Sequence, residues 1–387
     1  MELAQVLNIL LCYFTIMLVS ATCFAQSAYP GKKPLPVLDK TKSYPSKKLD
    51  FETEVSYVPL ETSKDILMGS GCNLNYISNE KIILTDKIRG DVFIFDKDGK
   101  IHSSFNQKGG LGYTFVTFVA YDEKKSELFI LDCISNKIFV FSENGTLLRS
   151  FRMPKDTHLS EIYNFDDKTL LALNEPGYGS AQAIKPYFYM AKDDGKIVGH
   201  INIELDKVNP VSKKPGENGY GFSFGHFGIP DNCKFGDDFI LANRSMDTVY
   251  LLKQDKTLIP LFTQIPSVYA EHPTAASVGM ITDQFLKICV SSYDLEEALE
   301  IKKSGKKWRP KYRIFILDID SGEFFEDSER KFTVYKVDTP KNQCYRLMQA
   351  INLVNAKKRG LLEGELKEIA SKLDIGDNPV LKIEKFK

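Results

Sequence analysis

A repeat with a 46-residue offset, Asp-Gly or Asn-Gly turns at matching places within it, and one strand pattern left over at each end of the chain together predict an all-β fold. The expected architecture is a six-bladed β-propeller whose last blade is closed by strands from both termini, with a short C-terminal helical insertion. The offset relates ILTDKIRGDVFIFDKDGKIHSSF (83–105) to ILDCISNKIFVFSENGTLLRSF (130–151). It lays Asp86 on Asp132, Val92 on Ile138, Phe93 on Phe139, Phe95 on Phe141, Gly99 on Gly145 and Phe105 on Phe151. A propeller blade of about four strands needs 40 to 50 residues, and that is the period found.

Taken in chain order, the first feature is an apolar run from Leu3 to Ala25, broken only by Gln5, Asn8, Thr15, Ser20 and Thr22. Its profile is that of a secretory signal, residues 1–25, cleaved after Ala25, although the first residues hold Glu2 and no Lys or Arg. Two other readings stand beside it. Cys23 is a possible lipid anchor, with Ser20 to Thr22 before it lacking the leucine of a bacterial lipobox, and the run can also be retained in the membrane. The expected location is outside the cytoplasm, in the periplasm or cell envelope. Residues 26–50 read as a linker and 51–387 as the propeller.

Within the repeat, each unit reads as strand, link, strand, tight turn, strand, with β-branched and aromatic residues alternating. Asp98-Gly99 and Asn144-Gly145 supply two-residue turns that favour positive φ. Weaker copies follow at 170–201, 239–262 and 286–327, with turns that include Asp194-Gly195 and Ser321-Gly322. Five units are counted in this way. VSYVPL (55–60) and PVLKIEKF (379–386) then complete the sixth, which removes free sheet edges. Residues 361–373 (LLEGELKEIASKL) carry apolar side chains at 362, 366, 369, 370 and 373, a one-sided helical stripe suited to packing on the rim.

Composition narrows the function classes. Lys+Arg and Asp+Glu both number 51, so no overall charge excess draws the chain to nucleic acid or an acidic membrane face. Outside the leader, Cys72, Cys133, Cys233, Cys289 and Cys344 form no C-x-x-C pair, which predicts neither a disulfide framework nor a zinc site. Cys133 and Cys289, in or beside apolar strand patterns, are expected to be buried thiols. The five histidines show no ligand spacing, and neither a G-x-S-x-G nor a Walker loop occurs. Asp96-Lys97-Asp98-Gly99 mimics a calcium loop, but Gln107 stands where the closing Glu is needed and the repeat explains the segment as a hairpin turn. No metal or cofactor is expected.

The runs VSYVPLETS (55–63), LTDKIRGDVFIFDKDGK (84–100), GGLGYTF (109–115) and NPVLKIEKFK (378–387) resemble the secreted six-bladed β-propeller proteins of Bacteroidetes, which are similar in pattern to NHL-repeat propellers. The resemblance covers essentially the whole chain beyond the leader. It departs in the glycine loop, usually G-x-G-P-G-E-Y in that family, where Gly109, Gly110, Leu111, Gly112 and Tyr113 lack the proline and the acid. It implies the fold and an envelope location, and it supplies no catalytic residues.

A site is sought where long segments gather. In an antiparallel blade, links between the second and third strands and links to the next blade leave on one face. Segments 106–115, 174–186, 213–229, 266–280, 291–312 and 356–378 are all expected there, around the mouth of the central channel. KPGENGYGFSFGHFG (214–228) interleaves glycines with aromatics, an arrangement that admits close backbone approach and ring stacking. Segment 291–313 runs from acidic to basic around the single tryptophan, Trp308. The candidate ligand contacts are Tyr178, Tyr220, Phe224, His226, Arg244, His272 and Trp308.

Three functional readings follow. The first is an exported binding module taking a glycan, a peptide or an envelope protein on the loop-rich face. The second is an enzyme, a lyase or hydrolase, with His226 or His272 as general base and a cation held by Asp86 and Asp132. Those two acids and Asn243 sit at equivalent ends of second strands, where a short polar side chain more often bonds its own backbone. The third is a scaffold assembling through its outer blade edges.

Overall fold

The computed structural model describes residues 34–69, 71–175, 185–205, 214–215, 221–222, 232–243, 245–270, 274–292, 300–301, 303–304, 311–329 and 340–387. Of two units, Met1–Leu35 and Pro36–Lys387, the second contains every strand of the propeller.

The chain opens with β1 (Val37–Asp39), β2 (Ser46–Lys47) and β3 (Thr53–Pro59), whose partners all lie far along the sequence. Blade one follows as β4 (Cys72–Ile77), β5 (Lys81–Asp86), β6 (Asp91–Asp96) and β7 (Ile101–Asn106), paired in that order. Blade two is β8 (Phe118–Asp122), β9 (Glu127–Asp132), β10 (Lys137–Ser142) and β11 (Leu147–Arg152). Blade three is β12 (Leu159–Asn164), β13 (Thr169–Asn174), β14 (Tyr187–Ala191) and β15 (Ile197–His200). A two-stranded ribbon, β16 (Lys214–Pro215) and β17 (Gly221–Phe222), precedes blade four. That blade is β18 (Asn232–Phe235), β19 (Asp238–Leu241), β20 (Thr248–Leu252) and β21 (Leu258–Ile265). Blade five is β22 (Thr274–Ile281), β23 (Phe285–Ser292), β24 (Lys311–Asp318) and β25 (Phe324–Asp327).

The sixth blade closes as the sequence predicts. β26 (Gln343–Met348) and β27 (Val380–Phe386) come from the C-terminal end and β3 from the N-terminal side, with β27 in the middle. Between β26 and β27 lie α1 (Ala350–Lys358) and α2 (Gly364–Ser371). Leu353 and Ala370 pack there with Val380, joined by Leu362, Leu366, Ile369 and Leu373, so the apolar stripe faces the rim.

Residues 36–47 are no linker. β1 adds a parallel fifth strand to the outer edge of blade four and β2 does the same for blade five. Leu38 is fully buried between those blades, Tyr44 packs edge-on to Phe315 and Phe324, and Arg313 donates to the carbonyls of Lys40 and Lys42. The strap thus ties two neighbouring blades through backbone pairing that no local pattern announces.

The core is a set of apolar clusters in the slots between blades. Middle strands such as β5 and β9 are buried on both faces, which is why ILTD and FILD read as continuous apolar runs, while outer β7 alternates half-buried and exposed. Burying each such large side chain contributes about 1.5–3 kcal/mol. Cys289 is in the core as expected, whereas Cys133 is exposed, because β9 ends at Asp132 and the thiol falls in the following link.

The glycine turns serve this packing. Gly99, Gly145 and Gly195 have φ of +80°, +79° and +75°, while Asp98 and Asn144 before the first two do not have positive φ. Asp96 N–H bonds Lys100 O and Ser142 N–H bonds Thr146 O, so those two hairpins turn through three residues ending at the glycine rather than the two predicted, while Gly195 N–H reaches Ala191 O across a longer turn; the register then shifts by one residue at His102, Leu148 and Val198. A Cβ on Gly145 would fall 2.6 Å from Phe105, and one on Gly195 2.4 Å from Phe151, each the last aromatic of the preceding blade. The repeat therefore pairs a glycine with the aromatic of its neighbour. Gly195→Ala combines a left-handed φ with that clash and is expected to cost about 2 kcal/mol, seen as a lower melting temperature. An unchanged melting curve would refute this account of the repeat.

Candidate functional site

Strand alternation gives the propeller two unlike faces. Turns from first to second and from third to fourth strand open on one, the turn face; second-to-third links and blade-to-blade links open on the other, the loop face. The segment 356–378 belongs with the turns, contrary to expectation, because it joins β26 to β27, the first and second strands of blade six. The predicted contacts Tyr178, Tyr220, Phe224, His226, Arg244, His272 and Trp308 all lie outside the described residues. The strands flanking them are those whose connections leave on the loop face.

Where the loop face is described, its polar groups chiefly shape loops. Asp86 Oδ1 accepts the backbone N–H of Ile88 (3.0 Å) and Arg89 (2.9 Å). Asp132 Oδ1 accepts Ile134 (2.9 Å) and Ser135 (3.2 Å), while its Oδ2 accepts Thr114 N–H and the Ser135 hydroxyl. Burial works to raise the Asp132 pKa, but these hydrogen bonds prevail and hold it below the ordinary carboxylate value. Asn243 bonds Ser245 N–H in the same way. The shared acid position is thus a turn former. Asp96 behaves likewise on the turn face, its Oδ1 accepting Asp98 and Lys100 N–H.

The glycine loop 107–113 is braced from below. Tyr113 is fully buried and its hydroxyl donates to Gly90 O at 2.5 Å while accepting Gln107 N–H at 3.1 Å. Burial pushes that phenol up to about 12. A Cβ on Gly112 would lie 1.8 Å from Gln107 O, so only glycine closes the loop there.

Basic side chains then lace neighbouring loops together. Arg89 Nη2 donates to Leu67 O (2.7 Å), Lys108 Nζ to Ile88 O (2.5 Å) and Lys87 Nζ to Thr117 O (2.9 Å). The rigid links so formed hold out aliphatic side chains: Ile88 is 74% exposed, Ile134 64%, Leu111 89% and Leu67 45%. Sequence reasoning passed over them. Their signal was present, since Ile88 and Ile134 are 46 residues apart and each is an apolar residue inside a polar turn.

Lys40 is a second position that sequence could not locate. The strap carries it to the start of blade five, where Nζ donates to Thr274 Oγ1 at 2.6 Å. Burial pulls its ammonium down to about 8, against the opposing pull of Asp247. Deeper, Glu161 Oε2 accepts the Tyr163 hydroxyl (2.8 Å) and Asn232 Nδ2 (2.9 Å), and Tyr187 donates to Asn232 Oδ1 (2.7 Å). All four are buried, so this network bonds blade three to blade four rather than presenting a carboxylate to solvent.

Residues 35–385 match the family described as a domain of unknown function, DUF4934. No curated protein matches the chain. Among solved structures, a protein of Bacteroides fragilis described as exported is 14% identical, covers 92% of this chain and 100% of its own, and superposes with a TM-score of 0.63. A DUF4221 family member from Bacteroides vulgatus is 11% identical over 88% of this chain and 98% of that one, with a TM-score of 0.46. Virginiamycin B lyase from Staphylococcus aureus is 12% identical over 71% and 99%, at 0.35. The first likeness shows a shared propeller fold and nothing of its chemistry.

Proposed function

The chain belongs to the DUF4934 family, and from that premise and its six-bladed fold we propose that it is an exported binding module taking a glycan, a peptide or an envelope protein on its loop face. The observation that carries this reading is the set of exposed aliphatic side chains, Ile88, Leu111 and Ile134, held out on loops that are bonded to one another. Aliphatic side chains held in water on loops that are already tied together gain by being covered. The enzyme reading needed Asp86 and Asp132 to hold a cation, and both carboxylates are committed to backbone turns.

Glycan and peptide arrays probed with residues 26–387 test the module, followed by titration of any ligand found. Joint replacement Tyr220→Ala, His226→Ala and Trp308→Ala is expected to weaken binding by at least about tenfold, because aromatic contacts dominate such interfaces. An unchanged dissociation constant would remove these residues from the site.

A further inference from the structure

Outer sheet edges are handled differently from blade to blade. In blades one, two and three the fourth strand is bulged against the third, the register slipping by one residue at His102, Leu148 and Val198. In blades four and five the strap strands β1 and β2 cover the fourth strand. Both devices discourage pairing with another chain. Blade six has neither. Among the described residues its sheet is β26, β27 and β3, one strand fewer than in blades one to three, with nothing paired outside β3. All of β3 pairs with β27 in unbroken register. At the two ends of that ladder Leu60 N–H donates to Pro379 O at 3.1 Å and Lys387 N–H to Glu52 O at 2.9 Å, so the even-numbered residues bond inward. The N–H and C=O groups of Thr53, Val55 and Tyr57 therefore point out of the sheet edge. Tyr57 packs with the helices on one face of the blade, whereas Thr53, Glu54 and Val55 are exposed.

We infer that β3 pairs with β3 of a second copy, antiparallel across a two-fold axis at Val55, so that the two sixth blades form one continuous sheet. The strand is complementary to itself in this register. Val55 faces Val55, Thr53 faces Tyr57, and every outward N–H of one copy meets an outward C=O of the other. Centring the pair on Glu54 would oppose two like charges, and centring it on Ser56 would set Thr53 against Pro59, which has no N–H to give. With the axis at Val55, Glu54 faces Ser56, and its carboxylate already has Lys387 of its own chain at 4.0 Å. The cross-strand pairs so made, Val55 with Val55 and Thr53 with Tyr57, are of the β-branched and aromatic kinds that stabilise sheets. β3 ends on the turn face, where Pro59 and Val58 meet Gly99. Antiparallel pairing thus turns the two loop faces to opposite sides and covers neither, and the inference is independent of what the loop face binds.

The test is sedimentation velocity of residues 26–387, which hold every propeller strand, over about 1–100 μM. The wild type is expected to reach twice the mass of one chain. Val55→Lys and Val55→Glu, at an exposed position, are each expected to weaken the dimer at least about tenfold, because the two-fold sets like charges face to face. Mixed in equal amounts they are expected to recover a dimer, which neither misfolding nor a general loss of apolar surface would give. A wild type that stays monomeric overturns the inference. So does a dimer that survives both substitutions, or a pair of variants that mixing does not restore. Hydrogen exchange separates one more case: the amides of Val55 and Tyr57 are expected to gain protection as concentration rises, and protection already complete in dilute monomer would show that the edge is covered within one chain, which also overturns it.

Discussion

A chain ending at Pro379 is expected not to fold. The truncation removes β27, which is hydrogen-bonded along its whole length to β26 on one side and to β3 on the other. Without it β3 has no partner, and Val380 and Leu381, both fully buried, are gone from the slot beside blade one and from the contact with the helices. Asn378 just before it would be left on a frayed end, although its side chain bonds the carbonyls of Glu61 and Ile66 and accepts Met68 N–H. A ring opened at one blade exposes sheet edges and core on both sides of the gap, a loss comparable with the whole stability of a domain, about 5–15 kcal/mol. The expected readout is absence of a cooperative thermal transition together with rapid proteolysis. Leu381→Ala, a milder change, is expected to keep the fold and cost about 3 kcal/mol through the cavity it leaves. A truncated chain that melts cooperatively near the temperature of the full one would show that closure is not what holds the ring.

The blade that these variants attack was legible in the sequence because its parts carry ordinary strand patterns at the two ends of a repeat with a known period. Gly99, Gly145 and Phe105 were legible for the same reason, and the structure adds why the glycine recurs: it abuts the last strand of the blade before, Pro59 and Val58 at Gly99, Phe105 at Gly145 and Phe151 at Gly195. The strap was not legible. β1 and β2 are three and two residues long, in a proline-containing segment, and gain their meaning from parallel pairing with residues more than two hundred positions away. α1 escaped notice because AINLVNAKK has no clean apolar stripe, and its place on the turn face follows from strand order that no local pattern encodes. On the loop face, the aspartates proved to be turn formers, the commoner of the two roles their position allowed, while Ile88 and Ile134 drew no reading at all. Chemistry-bearing residue types drew attention, and exposure, which sequence does not carry, decided the matter.

Lys192 shows the same blindness in the core, and it carries the second large effect. In AKDDGK it reads as one more solvated charge at a turn, yet it is 1% exposed and its Nζ lies 2.6 Å from Asp122 Oδ2, itself 3% exposed. The two come from neighbouring blades, so the pair bridges blade two to blade three. Its setting is finished on every side: the Lys192 carbonyl accepts from Arg149, whose guanidinium grips Glu127 through two bonds of 2.7 Å, and both cations stand over the Phe129 ring. Asp122→Ala therefore leaves a buried ammonium with no countercharge and is expected to cost about 4 kcal/mol, far more than loss of the exposed Lys124–Asp167 pair nearby. Because the pair is shielded from water, the loss should persist in high salt. The double variant Asp122→Leu/Lys192→Met exchanges the pair for apolar packing and is expected to recover most of the stability, since desolvating two charges offsets much of their attraction. Chemical denaturation of the wild type, Asp122→Leu, Lys192→Met and the double variant closes the cycle, with Asp122→Ala measured beside them. If the single variant Asp122→Ala costs no more than a surface substitution, or the double variant is as weak as the sum of its parts, then the ion pair does not couple the two blades.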